Sequence, residues 1–263
     1  LRGEQVFVVC GIAGIVNFNG SEEMAPTLRR MLGLIRHRGP DAFGIYLDQR
    51  AGLAHARLSI LDLTGGDQPI HNEDRSIWIV YNGEVFNYPD LRKDLIAKGH
   101  RFYTHTDTEV LVHLYEEYGT ALFTHLNGQY AFALWDAHGN KLLLGRDRVG
   151  IRPLFYRLEK NRLVFGSEIK ALFADASVPR RLDVRVLSDV FTCWSPLGAD
   201  TPFHGVYQIP AGHYALFSRE RFEVRPYWKL SFNDSNAFDR PVSEWSEALN
   251  ALVQDATRIR LRA

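Results

Sequence analysis

Short strand-like runs, several of them joined by tight polar turns, constrain the fold of this chain more than any other feature. Polar turns at 137–140 and 159–161 each separate two such runs, and a third hairpin is predicted over 213–228. Tight turns of this kind favour antiparallel pairing between consecutive strands. The predicted strands cover 11–18, 52–62, 76–81, 129–136, 141–146, 154–158, 162–167, 213–218 and 222–228.

Apolar residues spaced three and four apart predict helices between these strands. The predicted helices lie around 24–35, 91–98, 110–118 and 182–191, with Gly99 and Gly119 placed to end the second and third. Antiparallel hairpins interrupted by helices are typical of an α+β domain in which helices cover the sheets.

The character of the chain changes after residue 230. Residues 231–242 are polar and turn-rich, and a helix with Trp245, Leu249 and Leu252 on one face follows, with Ser243 as its predicted cap. We predict a leader, tag remnant or propeptide over 1–9, one domain over 10–230, and over 231–263 a linker and the first helix of a truncated second domain. The alternative is a C-terminal helix docked on the first domain.

Composition excludes several classes of partner. Lys plus Arg and Asp plus Glu number 31 each, so no basic excess points to nucleic acid. No run approaches the roughly 20 apolar residues of a membrane span. The two cysteines, Cys10 and Cys193, form neither a disulfide framework nor a metal-ligand spacing. We therefore expect a cytoplasmic protein with no metal, and we expect Cys193 to be an inert core thiol.

Cys10 opens the run CGIAGI, after nine residues that look dispensable. If those nine are absent from the working protein, the thiol and a free α-amine belong to the same residue. An α-amine titrates at about 7.7–8.0 and a thiol near 8.5, so the amine can take the thiol proton near neutral pH. The alternative is a small buried side chain at the start of a strand.

Two further motifs each have a structural and a functional interpretation. Arg57 lies in the apolar run LAHARLSILD, so it needs either a structural acid or the carboxylate of a ligand as partner. Asn82-Gly83-Glu84 is either a turn or an oxyanion hole built from the Asn82 amide and the Gly83 N–H.

The charged motifs also have two interpretations. In THTDTEV, Thr106 and Glu109 fit a capping box that places Asp107 in the first helical turn, where it could also receive an ammonium group. In HRGPD, Arg38 and Asp41 are expected to hold a loop to its neighbours. The charges of GRDRVGIRPLFY predict a salt-bridged surface loop, or a segment that supports the site or faces a partner domain.

Taken in order, these motifs resemble the glutaminase domain of glutamine-hydrolysing asparagine synthetases. The resemblance runs from Cys10 to about Trp228 and rests on CGIAGI, HRGPD, ARLSILD, QPI, YNGEVFN, THTDTEV, GQYAFALWD, GRDRVGIRPLFY and GSEIKAL. It places the chain among the class II glutamine amidotransferases, which are N-terminal nucleophile hydrolases. It implies a four-layer αββα sandwich of two antiparallel sheets.

The resemblance also implies roles for individual residues. Cys10 would be the nucleophile with its own α-amine as base, and Asn82 and Gly83 would form the oxyanion hole. Arg57 would hold the α-carboxylate of glutamine, and Asp107, aided by Glu84, its α-ammonium group. In the full-length protein the ammonia would serve ATP-dependent asparagine synthesis from aspartate.

The expected partners are glutamine, a C-terminal synthetase domain of the same polypeptide and a second copy in a homodimer. ATP and Mg are expected for the missing synthetase domain only, because this chain has no Gly-rich phosphate loop. Nine residues before the nucleophile depart from the family pattern; a cloning remnant, an over-extended start or a removable propeptide would each explain them.

Three alternatives to asparagine synthesis remain. The first is amidation of another carboxylate, and the second is a catalytically silent scaffold domain. The third is a sugar-phosphate or phosphoribosyl amidotransferase, which shares Cys10, Asn82–Gly83 and Asp107 but not HRGPD, GRDRVGIRPLFY or SEIKAL in this form.

Overall fold

The computed structural model describes residues 9–20, 23–59, 65–232 and 241–261. Its strands are β1 (Gly11–Asn17), β2 (Ala42–Leu47), β3 (Ala51–Arg57), β4 (Ile70–His71), β5 (Ile77–Val85), β6 (Gly128–Asp136), β7 (Lys141–Arg146), β8 (Phe155–Glu159), β9 (Arg162–Gly166), β10 (Tyr207–Gln208), β11 (His213–Phe217) and β12 (Phe222–Pro226). Its α-helices are α1 (Ala25–Ile35), α2 (Tyr88–Ala97), α3 (Glu109–Tyr118), α4 (Ile169–Leu172), α5 (Val184–Cys193) and α6 (Val242–Arg260).

In the described part of the chain these strands form two six-stranded sheets in which neighbours pair antiparallel. The first sheet has the order β10-β8-β9-β1-β3-β2 and the second β12-β11-β7-β6-β5-β4. The predicted hairpins β6–β7, β8–β9 and β11–β12 are all confirmed.

Apolar side chains on alternate positions of each strand divide the core into three parts. Between the sheets, Ile12 and Leu53 of the first pack in one cluster with Val80 and Leu144 of the second. The outer face of the first sheet packs against α1 and α4, and that of the second against α2 and α3. The result is four layers, helices–sheet–sheet–helices, and the predicted αββα fold is confirmed.

Strand β5 differs from its prediction. It does not turn at Asn82-Gly83 but stays paired with β6 from Ile77 to Val85. The Asn-Gly turn interpretation is therefore wrong, because a long partner strand continues alongside and no hairpin is needed. A glycine is required at position 83 because the backbone of β6 lies too close for a side chain: a Cβ there would lie 2.2 Å from the carbonyl oxygen of Gln129. The strand predicted over 52–62 ends at Arg57, and residues 60–62 of that prediction lie outside the described residues.

Both predicted helix caps are wrong. Helix α3 begins at Glu109 after Thr108, whose side chain makes no capping bond, so Asp107 precedes the helix. The Glu109 carboxylate is instead buried and accepts the N–H groups of Tyr103 at 2.8 Å and Thr104 at 2.7 Å. Helix α6 follows Pro241 without a side-chain cap, so Ser243 does not have that role.

The C-terminal parts of the chain bury little. Helix α6 has no buried residue, and the Arg260 guanidinium lies 4.5 Å from the ring centroid of Phe86. The division of the chain at 230 stays a prediction.

Cys193 is exposed at the end of α5, which buries only Val186, so the prediction of a core thiol is wrong. Among the described helices, none is long and apolar enough to cross a membrane.

The loop after β7 is organised by Asp147 rather than by the salt bridges that its charges predict. Its buried carboxylate accepts backbone N–H groups from Tyr130 at 3.2 Å, Val149 at 3.2 Å, Ile151 at 3.0 Å and Arg152 at 3.0 Å. Arg146 likewise donates to backbone carbonyls in and around the loop. The loop is therefore held by bonds between charged side chains and the backbone.

We expect Asp147→Asn to lower the free energy of unfolding by about 2–4 kcal/mol, because one oxygen becomes an NH2 group that faces N–H donors and leaves them unpaired. Urea unfolding measures this change. Asp94→Asn, on the exposed face of α2, is the matched control and should change stability by less than about 0.5 kcal/mol. Equal stability of the two variants would contradict the role given to Asp147.

Candidate active site

One pocket collects most of the predicted site residues. It encloses about 450 Å³ of empty space, part of it open to solvent. Its wall comes from the start of β1, the end of β3, the middle of β5 and the segment before α3. The residues that line it are Cys10, Arg57, Leu58, Gly66, Gln68, Tyr81, Gly83, Glu84, Thr106, Asp107 and Thr108.

Cys10 directly precedes β1, and the alternation of that strand places it on the same side as Ile12, which faces the second sheet. Its sulfur lies 3.3 Å from the backbone nitrogen of Leu58, which donates to it, and 3.6 Å from the Leu58 oxygen. Burial raises the pKa of the Cys10 thiol, and the bond to Leu58 and the charge of Arg57 offset this in part. The thiol therefore needs a base to react near neutral pH.

The HRGPD loop is held to its neighbours, as predicted, and one of these neighbours is the backbone of Cys10. Arg38 donates from Nε to the Cys10 carbonyl oxygen at 3.1 Å and from Nη1 to Glu168 Oε1 at 3.1 Å. Asp41 accepts the N–H of Ser59 at 2.8 Å and so ties down the segment after β3. Both residues act through backbone positions on either side of the pocket.

Arg57 supplies the cation of the pocket. Its guanidinium is buried and donates from Nη1 to Asp67 Oδ1 at 2.7 Å, while the Asp67 side chain is 75% exposed. The two interpretations of Arg57 thus coexist, since it has a structural partner and also lines the pocket. A guanidinium offers enough donors to bind a second carboxylate in the same plane.

Asp107 supplies a buried anion. Its Oδ2 accepts the Tyr81 hydroxyl at 2.9 Å and the Val85 N–H at 2.8 Å, which joins the segment before α3 to the edge of β5. Burial raises the pKa of the Asp107 carboxyl to about 6. The carboxylate is therefore mainly ionised at pH 7 and poorly solvated, a state that favours a cationic ligand.

The backbone N–H of Gly83, on β5, has an orientation that suits an oxyanion. The Tyr81 N–H, bonded to Gln68 Oε1 at 2.6 Å, and the Val85 N–H both point away from β6, and Gly83 between them shares this orientation. Asn82 does not line the pocket. Its Nδ2 is buried without a hydrogen-bond partner in the described part of the chain, on the face that Val80 turns toward the first sheet.

Two supporting residues, Gln68 and His55, escaped the motif search or were given no role, whereas Glu84 was predicted to assist Asp107. Gln68 accepts from the Tyr81 backbone, and His55 Nε2 lies 3.1 Å from the Tyr81 carbonyl oxygen. Burial lowers the pKa of His55 to about 3, so it is neutral. Glu84 lines the pocket and accepts from Gln129 at 3.3 Å. The QPI motif contains Gln68, but nothing in its spacing indicates the contact with Tyr81.

Several known proteins are similar in sequence to this chain over most of its length. An amidase, chry2, of Gibberella zeae is 37% identical over 270 residues, covering 97% of this chain and 40% of the relative. Asparagine synthetase [glutamine-hydrolyzing] 3 of Bacillus subtilis is 37% identical over 253 residues, covering 94% of this chain and 41% of the relative. The chain thus spans about two fifths of the length of these curated relatives.

The fold is shared with a solved amidotransferase. The glutamine phosphoribosylpyrophosphate amidotransferase of B. subtilis aligns with a TM-score of 0.58 at 19% identity, over 85% of this chain and 50% of the other. This likeness supports the N-terminal nucleophile hydrolase fold. The sequence pattern of the family described as "Glutamine amidotransferase domain" matches residues 9–228. The chain therefore belongs to the class II glutamine amidotransferases, the family that its motifs predicted.

Proposed function

We propose that this chain hydrolyses the side-chain amide of glutamine to glutamate and ammonia through a thioester at Cys10. The observation that carries the proposal is the convergence of a thiol, a buried cation and a buried anion in one pocket. Glutamine is a zwitterion with an amide at the end of its side chain, so it presents one group to each of the three.

The two charges would hold the ends of glutamine common to all amino acids. Arg57 grips the α-carboxylate through parallel hydrogen bonds, and Asp107 receives the α-ammonium group with Glu84 nearby. An acid without the α-ammonium group would leave the buried Asp107 carboxylate without a cation, and an amine without the carboxylate would gain nothing from Arg57, which stays paired with Asp67. Selection for a free amino acid follows from this arrangement.

The chemistry then runs in two halves. The Cys10 sulfur attacks the amide carbon while its proton passes to the α-amine of Cys10, and the Gly83 N–H binds the oxyanion. The Asn82 amide, the second predicted donor, does not line the pocket and would have to turn toward the oxyanion to bind it. The α-amine of Cys10 gives the proton to the leaving nitrogen, ammonia departs and a thioester remains. Water, deprotonated by the same amine, attacks the thioester, and glutamate leaves as the thiol reforms.

Ammonia would be passed on in a longer protein. The proposed use is an ATP-dependent synthesis of asparagine from aspartate in a C-terminal synthetase domain, which would hold the ATP and Mg. The Bacillus subtilis relatives, which are named glutamine-hydrolysing asparagine synthetases, support asparagine as the product. Amidation of another carboxylate is the second candidate, because two relatives, chry2 and chyE, are named amidases and not asparagine synthetases. Two free cysteines in the described chain fit a reducing cytoplasm.

A free α-amine on Cys10 is essential in this scheme. We expect the chain that begins at Cys10 to release ammonia from glutamine, and the chain that begins at Leu1 to be inactive. Cys10→Ala should lower kcat by at least about a thousandfold, while Cys193→Ser serves as the matched thiol control. Ammonia is measured with glutamate dehydrogenase, and N-terminal sequencing identifies the active species. Activity from a chain whose N-terminus is still Leu1 would overturn the role of the amine.

Asp107 should give glutamine binding a pH dependence. Since only the ionised carboxylate binds an ammonium group, and its pKa is about 6, affinity should be constant well above pH 6 and fall about tenfold per pH unit well below it. Calorimetry on Cys10→Ala separates binding from chemistry. Asp107→Asn should weaken binding about 10–100-fold at pH 7.5 and abolish the acid limb. Asp94→Asn is the control, and an acid limb that survives in Asp107→Asn would assign it to another group.

A further inference from the structure

A second group of ionisable side chains lies away from the pocket, where α2 and α3 meet the loop before β5. Glu73 comes from that loop, His100 follows α2, and His113 and Glu116 lie on α3. One ligand atom from each lies within 4.8 Å of the others. We call these four residues the histidine–glutamate cluster. Neither the mechanism nor the family motifs use it.

The spacing within the histidine–glutamate cluster fits a small tetrahedral ion. His100 Nδ1 lies 3.7 Å from Glu73 Oε1 and 3.6 Å from Glu116 Oε2. His113 Nδ1 lies 3.6 Å from Glu73 Oε2 and 2.8 Å from Glu116 Oε2. Zinc bonds of about 2.0–2.1 Å imply tetrahedral edges of about 3.4 Å. Changes of up to about 0.6 Å in these four distances would bring them to that value.

A second, independent observation concerns the opposite side of each imidazole. His100 Nε2 lies 3.2 Å from Glu117 Oε1, and His113 Nε2 lies 3.6 Å from Glu109 Oε1. A histidine that binds metal through one nitrogen commonly directs the other to a carboxylate, which fixes the ring and strengthens the ligand. His100 has this arrangement, whereas His113 Nε2 faces Glu109 at a distance too long for a hydrogen bond and is buried with no hydrogen-bond partner among the described residues.

The ligating carboxylates are also oriented by neighbours. Glu116 Oε1 accepts from Asn72 Nδ2 at 2.9 Å, and Glu73 Oε1 accepts the N–H of Arg101 at 2.8 Å. The side chain of His113 is fully buried, whereas those of Glu73 and Glu116 are 32% and 24% exposed. An ion could therefore reach the histidines past the two carboxylates.

We propose that the histidine–glutamate cluster binds one Zn²⁺ ion through His100 Nδ1, His113 Nδ1 and the carboxylates of Glu73 and Glu116. The two negative charges of the carboxylates balance the charge of the Zn²⁺ ion, and both imidazoles bind as neutral ligands. The alternative is a metal-free network in which protonated histidines pair with the same carboxylates.

A zinc ion here would join three segments and, through them, support the pocket. Glu109, which backs His113, also accepts the N–H groups of Tyr103 and Thr104. Those residues lead into Asp107. The ion would thus be structural, holding α3 and the segment before it against the loop that precedes β5.

The test uses the whole chain without a polyhistidine tag, in a Cys10→Ala, Cys193→Ser background that removes thiol ligands. After EDTA treatment and dialysis, Zn²⁺ is titrated by calorimetry and retained metal is counted by mass spectrometry. We expect one Zn²⁺ per chain, and a Tm that rises by about 5–10 °C at a hundredfold excess of free metal over Kd. Co²⁺ should give the intense visible absorption of a tetrahedral site.

Variants at the less buried ligands keep the test independent of folding defects. His100→Gln and Glu116→Gln should each weaken Zn²⁺ binding at least about tenfold, whereas His138→Gln, at an exposed position, should not change it. Failure of the parent chain to retain Zn²⁺ would establish the metal-free network and overturn the proposal. Binding that is equally tight in His100→Gln and Glu116→Gln would overturn it as well, since the ion would then lie elsewhere.

Discussion

The packing of the two sheets against each other is the interaction on which the pocket depends. Side chains at alternate positions of each strand fill the gap between the sheets, with Leu53 of β3 and Val80 of β5 in one cluster. The same alternation turns Arg57, at the end of β3, and Asn82, within β5, toward that gap. A shift of one residue in either strand would move these side chains to the opposite face. The apolar core therefore sets the orientation of the polar site.

Burial changes the pKa of the pocket thiol and of the pocket carboxylate in the same direction. It raises the pKa of both Cys10 and Asp107, because each is less stable as an anion away from water. The thiol is thereby kept protonated until a base removes its proton. The poorly solvated Asp107 carboxylate favours a cationic partner, and its hydrogen bonds to Tyr81 and Val85 fix its position.

Local patterns predicted the local parts of this structure. Turn residues identified the hairpins, and the spacing of Leu28, Met31 and Ile35 identified the face that α1 buries. Contacts between distant segments were beyond such patterns. Thr106 and Glu109 fit a capping box, but the Glu109 carboxylate bonds to Tyr103 and Thr104 instead. Asn82-Gly83 fits a turn, yet β6 keeps it extended. The resemblance to a family, rather than spacing, joined Cys10, Arg57 and Asp107 in one site.

The pairing of Arg57 with Asp67 has a consequence for how a ligand enters. The guanidinium is neutralised by a counterion that reaches solvent, so the empty pocket holds no isolated cation. An incoming carboxylate would then bind beside Asp67 or replace it. Arg57 loses its hydration water during folding, so this cost does not recur when the ligand binds. Association becomes an exchange of anions with little change in local charge. In the proposed reaction, the glutamate carboxylate would leave Arg57 as Asp67 binds the guanidinium again.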